Sequence, residues 1–76
     1  MAADEERLDL KGLKCPLPAL RARKRLAALA PGSLLLVEAT DPMSAIDIPN
    51  MVRETGDVME GAERNDKVLR FRIRKA

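Results

Sequence analysis

The stretch Gly12-Leu-Lys-Cys-Pro-Leu-Pro-Ala-Leu-Arg21 joins a segment of alternating polarity to one rich in helix-favouring residues. It holds the only cysteine of the 76-residue chain, Cys15, which is followed by Pro16 and Pro18. Proline fits the first position of a helix, where its missing N–H costs no hydrogen bond. The stretch therefore predicts a strand-to-helix loop, with Pro16 as the first helical residue and Cys15 as the helix N-cap.

The segments on either side of this loop predict a strand, a helix and a second strand. Residues 7–11 alternate in polarity, and residues 16–30 carry an apolar face at the helical period of about 3.6 residues. Pro31-Gly32 predicts a turn, and the apolar run Leu34–Val37 is typical of a strand buried on both faces. Strands joined through a helix are expected to be parallel, with a right-handed crossover. The predicted apolar face of the helix consists of Ala19, Ala22, Leu26, Leu29 and Ala30.

The next segment predicts a second helix with a proline inside it. Asp41 is expected to be its N-cap and Pro42 its first residue. Pro49 predicts a kink, and Gly56 is expected to end the helix as a C-cap. The apolar contacts of this helix are predicted to be Ile46, Ile48, Met51 and Val52.

The remaining residues predict a β-hairpin and complete the fold. A third strand starts at Val58, a turn is expected at residues 64–66, and residues 67–75 alternate as a half-exposed strand. The predicted fold is an α/β (α+β) two-layer sandwich of order β-α-β-α-β-β, with a four-stranded mixed sheet and two helices on one face. Residues 1–76 are expected to form a single domain, in which the acidic residues 1–6 are disordered.

Composition limits the classes of function. The net charge of +2, from 14 basic and 12 acidic residues, is too balanced to indicate direct DNA binding. No apolar run approaches the roughly 20 residues of a membrane span, and the acidic amino terminus is unlike a signal peptide. One cysteine forms no internal disulfide and, without histidine, gives no ordinary metal site. We therefore expect a soluble, cytoplasmic, monomeric protein without a metal or other cofactor.

Cys15 is the candidate reactive residue. At a helix N-terminus the backbone dipole favours a thiolate, which predicts a thiol pKa below about 8.5. A cysteine hydrolase needs a base, normally histidine, and a dithiol oxidoreductase needs a second thiol, so the composition disfavours both classes. Two chemistries stay open from the residues alone: carriage of sulfur as a persulfide, and reversible oxidation of a single thiol.

A basic cluster on the first predicted helix is a candidate partner site. Arg23 and Lys24 lie about 12 to 13 Å from Cys15 along the helix axis, too far for direct contact. With Arg21, they are either a docking surface for an acidic partner or a solvated face. Lys14 lies next to the cysteine in sequence and is expected to favour the thiolate slightly.

Several motifs in order resemble the TusA (SirA-like) sulfur-carrier family. One of them is C-P-x-P after a strand and Gly-Leu-Lys. The strength of the resemblance lies in the whole set of motifs, which occur in order at these spacings and cover nearly the whole chain. It implies the same β-α-β-α-β-β sandwich. The matching segments are Leu8–Pro18, Arg23-Lys24, Pro31-Gly32, Asp41-Pro42, Asp47-Ile48-Pro49 and Phe71–Lys75.

The resemblance also implies roles for candidate site residues. Cys15 would accept sulfur from a cysteine desulfurase as a persulfide and hand it to an acceptor protein, serving tRNA 2-thiouridine, molybdenum-cofactor or related sulfur metabolism. The protein would be a sulfur relay rather than a self-contained enzyme, with the sulfur held covalently. Loop-shaping roles are implied for Pro16 and Pro18, and partner contacts for Arg23 and Lys24. We add Gly12 as a candidate loop-shaping residue, and Lys14 and Arg21 as candidate partner contacts.

Three positions depart from the family pattern. Val52 stands where some members have a second cysteine, which removes an internal disulfide switch. Leu17 stands where some have an acidic residue, and Ile46 where many have arginine. The last two change the surface near the thiol, and so bear on which partners it meets.

The sequence leaves two alternative functions open. The element order is similar to that of small RNA-binding domains, which predicts an RNA- or protein-binding regulatory module with a redox-sensitive thiol. Binders of single strands usually offer aromatic side chains for stacking, and Phe71 is the only aromatic residue. The other alternative is a redox sensor that forms a mixed disulfide with a small thiol.

Overall fold

The computed structural model describes residues 4–76, and the order of its elements matches the predicted β-α-β-α-β-β. The sheet has the strand order β1-β2-β4-β3. Its β1–β2 pair is parallel and the other two pairs are antiparallel, so the sheet is mixed, as predicted. The elements are β1 (Glu5–Leu10), α1 (Leu17–Ala28), β2 (Leu34–Ala39), α2 (Ser44–Thr55), β3 (Val58–Asn65) and β4 (Val68–Arg74).

The parallel register of β1 and β2 determines where the functional site lies. Glu5 is paired with Leu34 at one end, and Leu10 with Ala39 at the other. The carboxyl ends of both strands therefore reach the same edge of the sheet. Because each strand continues into a loop and then a helix, the β1–α1 and β2–α2 loops leave this edge side by side.

The core lies between the sheet and the two helices. On β4 the alternation is as predicted: Leu69, Phe71 and Ile73 are buried, while Arg70 and Arg72 are exposed. Hydrophobic burial against this surface is what holds both helices to one face of the sheet. The helices contribute the buried residues Ala22, Leu26, Ile48, Met51 and Val52.

The first strand is longer than predicted. Glu5 and Glu6, expected to belong to a disordered segment, are the first residues of β1. Glu5 pairs with Leu34, and the Glu6 carboxylate accepts hydrogen bonds from Arg25 on α1, so this end of the strand is fixed from two sides. The carbonyl of Asp4, from the same predicted segment, accepts a hydrogen bond from the N–H of Leu34 at 2.7 Å. Residues 1–3 of that segment lie outside the described residues.

The second strand differs from the prediction of burial on both faces. It extends to Ala39, and its side chains alternate after Leu35: Val37 is buried, whereas Leu36 and Glu38 are only half-buried. The reason is that the helices cover one face of the sheet, and Leu36 and Glu38 lie on the other.

The helices also differ in detail from the predictions. The first ends at Ala28, so Ala30 lies beyond it and is exposed. The second begins at Ser44, after a turn, and continues through Pro49 to Thr55. Gly56 then ends it as a C-cap with a φ of 80°, as predicted, because glycine adopts this conformation without a Cβ penalty.

Two further predictions in the second half were wrong. Ile46, expected in the core, is 56% exposed because it lies on the solvent side of α2. The hairpin turn falls at Asp66-Lys67 rather than at residues 64–66, since β3 continues as far as Asn65. Among the helices described here, none has the length and apolar character that crossing a membrane requires.

Candidate functional site

The loop that carries Cys15 is fixed to the end of the neighbouring strand. Gly12 has a φ of 86°, a conformation that favours glycine. Its N–H donates a hydrogen bond to Oγ1 of Thr40, the residue after β2, at 2.9 Å. This bond ties the β1–α1 loop to the β2–α2 loop.

Two carboxylates of the β2–α2 region hold Cys15. The backbone N–H of Cys15 donates to Oδ2 of Asp41, and its thiol donates to Oδ2 of Asp47 at 2.9 Å. These partners lie 26 and 32 residues further along the chain. Cys15 itself is exposed, so the sulfur is both fixed in position and open to an approaching molecule.

The helix begins one residue later than predicted, at Leu17 instead of Pro16. The N–H of Leu17 donates to the carbonyl of Lys14 at 2.9 Å, closing a turn around Cys15 and Pro16. The first helical bond then runs from Leu20 N–H to the carbonyl of Pro16, which makes Pro16 the N-cap. Cys15 is therefore not the N-cap, and the Cys15–Pro16 peptide bond is cis. The second proline of the motif, Pro18, lies within α1 and is buried.

The prediction of a lowered thiol pKa was wrong, because the pKa of Cys15 is raised. The main cause is the hydrogen bond that the thiol donates to Asp47; partial desolvation and the negative charges of Asp47 and Asp41 act in the same direction. The direct hydrogen bond to a carboxylate outweighs the effect of the helix dipole, because a bond to a charged group acts at contact distance while the dipole places only a partial charge at the helix end. The resting sulfur is thus a neutral thiol.

Asp41 has a positioning role in the loop. Its Oδ2 accepts the N–H of Cys15 and its Oδ1 accepts the N–H of Met43 at 3.1 Å. These two bonds, together with the charge of Lys14, lower the pKa of Asp41, so its carboxylate is ionised and both of its oxygens are engaged. Asp41 therefore connects the cysteine loop to the start of α2. The prediction that it is the N-cap was wrong, because α2 begins at Ser44 and its N-cap is Met43.

The predicted basic residues lie on α1, away from the hydrogen bonds of the thiol. Arg21, Arg23 and Lys24 are exposed. The nearest charged contact of Arg23 is Glu54 on α2, at 3.8 Å between Nη1 and Oε1, with both side chains more than half exposed. Such a pair contributes little to stability and leaves the cation accessible to a partner.

Exposed apolar side chains are concentrated at the starts of the two helices. Within residues 4–76, five large hydrophobic residues are exposed, and four of them lie in the first turns of α1 and α2 or just before α2. Because the bond between Cys15 and Asp47 joins these two helix ends, the four residues lie at the same end of the molecule as the sulfur. We call them the apolar rim: Leu17, Leu20, Met43 and Ile46.

Sequence reasoning missed the two carboxylate partners of the cysteine. Asp41 stood out only as the expected N-cap of the second helix and as part of Asp41-Pro42, and Asp47 only as part of Asp47-Ile48-Pro49. Their position after β2 could have indicated them, because the loops that follow two parallel strands meet at the same edge of the sheet. Over the described range, no group of three acidic, cysteine or histidine side chains is arranged to hold a metal ion. Phe71 is 3% exposed, so it offers no stacking surface for a base.

Comparison with known proteins gives consistent matches over most of the chain. A family model described as "Sulfurtransferase TusA" matches residues 6–75. The sulfur carrier protein TusA of Allochromatium vinosum is 44% identical over 77 aligned positions that cover all of both chains. A candidate sulfur carrier protein of Neisseria meningitidis is 46% identical over 66 residues, covering 87% of this chain and 89% of that one.

A solved structure is similar as well. The crystal structure of the SirA-like protein from Desulfitobacterium hafniense superposes with a TM-score of 0.79 and 28% sequence identity, over 91% of this chain and 95% of that chain. The similarity confirms the predicted fold.

Proposed function

The chain belongs to the TusA family of sulfurtransferases, and on this basis we propose that it is a sulfur carrier whose Cys15 holds a sulfur atom as a persulfide. One observation carries the proposal: the only thiol of the chain is exposed on a loop that Thr40 and Asp41 hold in place. A fixed, accessible sulfur of this kind suits a reaction in which two different proteins must reach the same atom in turn.

The chemistry assigned to Cys15 needs no second thiol in the chain. Its sulfur attacks the outer sulfur of a donor persulfide, a new S–S bond forms, and the donor leaves as a thiol. With one cysteine in the sequence, no internal thiol displaces the bound sulfur. The sulfur therefore stays on Cys15 until an external thiol removes it. The protein acts as a relay, and turnover depends on its partners.

The partners follow from this role. We assign a cysteine desulfurase as the donor and a downstream acceptor protein as the recipient, in tRNA 2-thiouridine synthesis, molybdenum-cofactor synthesis or related sulfur metabolism. The apolar rim offers contact area at the same end of the molecule as the sulfur. The exposed cations Lys14, Arg21, Arg23 and Lys24 favour an acidic partner surface. A carrier that keeps a single thiol reduced belongs in a reducing compartment, which we take to be the cytoplasm.

Sulfide release tests the proposal. The reduced protein is incubated with a cysteine desulfurase and cysteine, separated from both, and treated with dithiothreitol. We expect about one equivalent of sulfide from the wild-type protein and none from Cys15→Ser. Equal release from the two proteins, or none from either, would contradict the role of Cys15 as the carrier residue.

A further inference from the structure

We propose that Asp47 is a catalytic residue of sulfur transfer, which removes the proton from the Cys15 thiol as sulfur is accepted and supplies a proton as sulfur is passed on. The inference rests on the proposed function, because it assigns a further residue to that reaction. It begins from one contact: the Cys15 thiol donates a hydrogen bond to Oδ2 of Asp47, with 2.9 Å between sulfur and oxygen.

The Asp47 carboxylate is carried by a rigid element. Asp47 is in the first turn of α2, and its N–H donates to the carbonyl of Met43 at 2.9 Å. The next residue, Ile48, is fully buried against the core. The backbone that carries the carboxylate is therefore anchored, which is what a proton-transfer group needs if it is to stay aimed at one atom.

The two carboxylates at the site have different hydrogen-bond partners and therefore different roles. Asp41 uses both of its oxygens on backbone N–H groups, so its bonds set the path of the loop. Asp47 instead contacts the one proton that must leave before Cys15 becomes a nucleophile. The charged groups facing the thiol are these two aspartates, and Lys14 acts on Asp41. The balance of charge at the sulfur is therefore negative.

Because the surroundings of the sulfur are negative, sulfur transfer requires a group that removes the thiol proton. The thiolate is the nucleophile in sulfur exchange, yet two carboxylates beside Cys15 keep the sulfur protonated at rest. A neutral thiol can react if its proton is removed while the new bond forms. As the sulfur begins to bond to the donor, its proton becomes more acidic, and a carboxylate at hydrogen-bond distance is then a sufficient base.

The accepting step balances without an added oxidant or reductant. The Cys15 sulfur forms a bond to the outer sulfur of the donor persulfide, and the S–S bond of the donor breaks. The thiol proton moves to Oδ2 of Asp47, and the departing donor thiolate takes up a proton from Asp47 or from water. The products are a persulfide on Cys15 and a donor thiol.

The delivering step is the reverse with a different partner. The thiolate of an acceptor attacks the outer sulfur on Cys15, and the S–S bond to Cys15 breaks. The leaving Cys15 sulfur takes up a proton from Asp47, or from water by way of Asp47, which restores the neutral thiol. The same contact therefore leaves the empty carrier in a form that reacts slowly with oxidants and alkylating agents.

Two rates measured on one variant test this role. The full-length wild-type protein and Asp47→Asn are treated at pH 7 with glutathione persulfide as the sulfur source, and separately with iodoacetamide. Loss of the carboxylate charge should raise the alkylation rate several-fold, because more thiolate is present. Sulfur uptake should nevertheless slow at least about tenfold although more thiolate is present, because the base is lost. General-base catalysis typically contributes about 10²–10⁴-fold to a rate.

Control variants separate proton transfer from a change in structure. Asp47→Glu keeps a carboxylate and should recover part of the uptake rate. Asp66→Asn, the same substitution in the hairpin turn, should leave both rates unchanged; its φ of 58° also suits asparagine. Between pH 6 and 8, uptake by the wild type should change little, while uptake by Asp47→Asn should rise with pH as thiolate forms.

The outcomes distinguish this inference from the proposed function. Faster alkylation with slower sulfur uptake supports proton transfer by Asp47. If uptake by Asp47→Asn is unchanged or rises together with alkylation, Asp47 only suppresses the thiolate and the inference is wrong. A fall in both rates contradicts it too, since that reports a displaced loop. If the wild type takes up no sulfur on Cys15 at all, the proposed function fails and the inference falls with it.

Discussion

The thiol of Cys15 donates a hydrogen bond to the carboxylate of Asp47, with 2.9 Å between sulfur and oxygen, although the two residues are 32 positions apart in the sequence. The contact exists because β1 and β2 are parallel and end in register at Leu10 and Ala39. Their loops then lead into α1 and α2 at the same edge of the sheet. The reactivity of the sulfur is therefore determined by a tertiary contact as well as by the local C-P-x-P sequence.

This contact predicts the titration of the thiol. Since the pKa of Cys15 is raised, the rate of alkylation by iodoacetamide should reach half of its maximum at a pH above the value of about 8.5 for a free cysteine. In Asp47→Asn the midpoint should move to lower pH, because the thiolate no longer faces that carboxylate. A wild-type midpoint below that of free cysteine would contradict the geometry.

The basic residues of α1 are predicted to act in docking and not in chemistry. Arg21→Glu with Lys24→Glu should slow sulfur uptake from a cysteine desulfurase several-fold, because charge complementarity speeds protein association. Uptake from glutathione persulfide should stay unchanged, since the thiol does not contact either residue. Lys67→Glu in the hairpin turn is the control for charge alone. Equal loss with both sulfur sources would rule out a docking role.

Burial predicts opposite results for two leucines of the same helix. Leu26 is 1% exposed and Leu20 is 56% exposed. Leu26→Ala should lower the free energy of unfolding by about 2–5 kcal/mol, because it leaves a cavity beneath α1. Leu20→Ala should change it by no more than about 0.5 kcal/mol. Urea denaturation of both variants measures the difference, and similar losses would mean that the packing of α1 is wrong.

Three ion pairs predict a loss of stability in acid. The carboxylates of Glu6, Glu38 and Glu60 have lowered pKa values, chiefly because each accepts a hydrogen bond from an arginine. A carboxylate whose pKa is lower in the folded protein stabilises it above the unfolded value of about 4.3, and this stabilisation is lost as the pH falls through the folded value. The urea midpoint should thus be steady from pH 7 to 5 and fall below about pH 4.

A matched pair of variants isolates one of these ion pairs. Glu60 receives two hydrogen bonds from Arg74, whereas Glu63 on the same strand lies outside the three pairs. Glu60→Gln should lower the urea midpoint at pH 7 and reduce its dependence on pH. Glu63→Gln should leave both nearly as in the wild type. A steeper dependence on pH in Glu60→Gln would be inconsistent with the sign of the effect.

Local patterns in the sequence were sufficient to predict most of the fold. The alternation of β4 around Phe71 identified its buried face, and Gly56 identified the end of α2, because each signal depends on neighbouring residues only. The position of Cys15 on a strand-to-helix loop followed from Gly12 and Pro16 in the same way. Element boundaries were less accurate where tertiary contacts extend or shorten an element, as Arg25 does for the start of β1.

The electrostatics of the site could not be predicted from the same local patterns. Reasoning from the helix N-terminus alone gave a lowered thiol pKa, which would hold if the helix dipole were the strongest field at the sulfur. Knowing that Asp47 reaches the sulfur requires the register of β1 on β2 and the packing of α1 against α2. Both are set by contacts between residues far apart in the chain.

Intact mass tests the central claim most directly. The reduced wild-type protein and Cys15→Ser are incubated with a cysteine desulfurase and cysteine, and their masses are compared before and after dithiothreitol. We predict that the wild type gains the mass of one sulfur atom, that dithiothreitol reverses the gain, and that Cys15→Ser gains nothing. If the wild type gains no mass while Cys15 still reacts with iodoacetamide, the thiol is accessible and the protein is not a persulfide carrier.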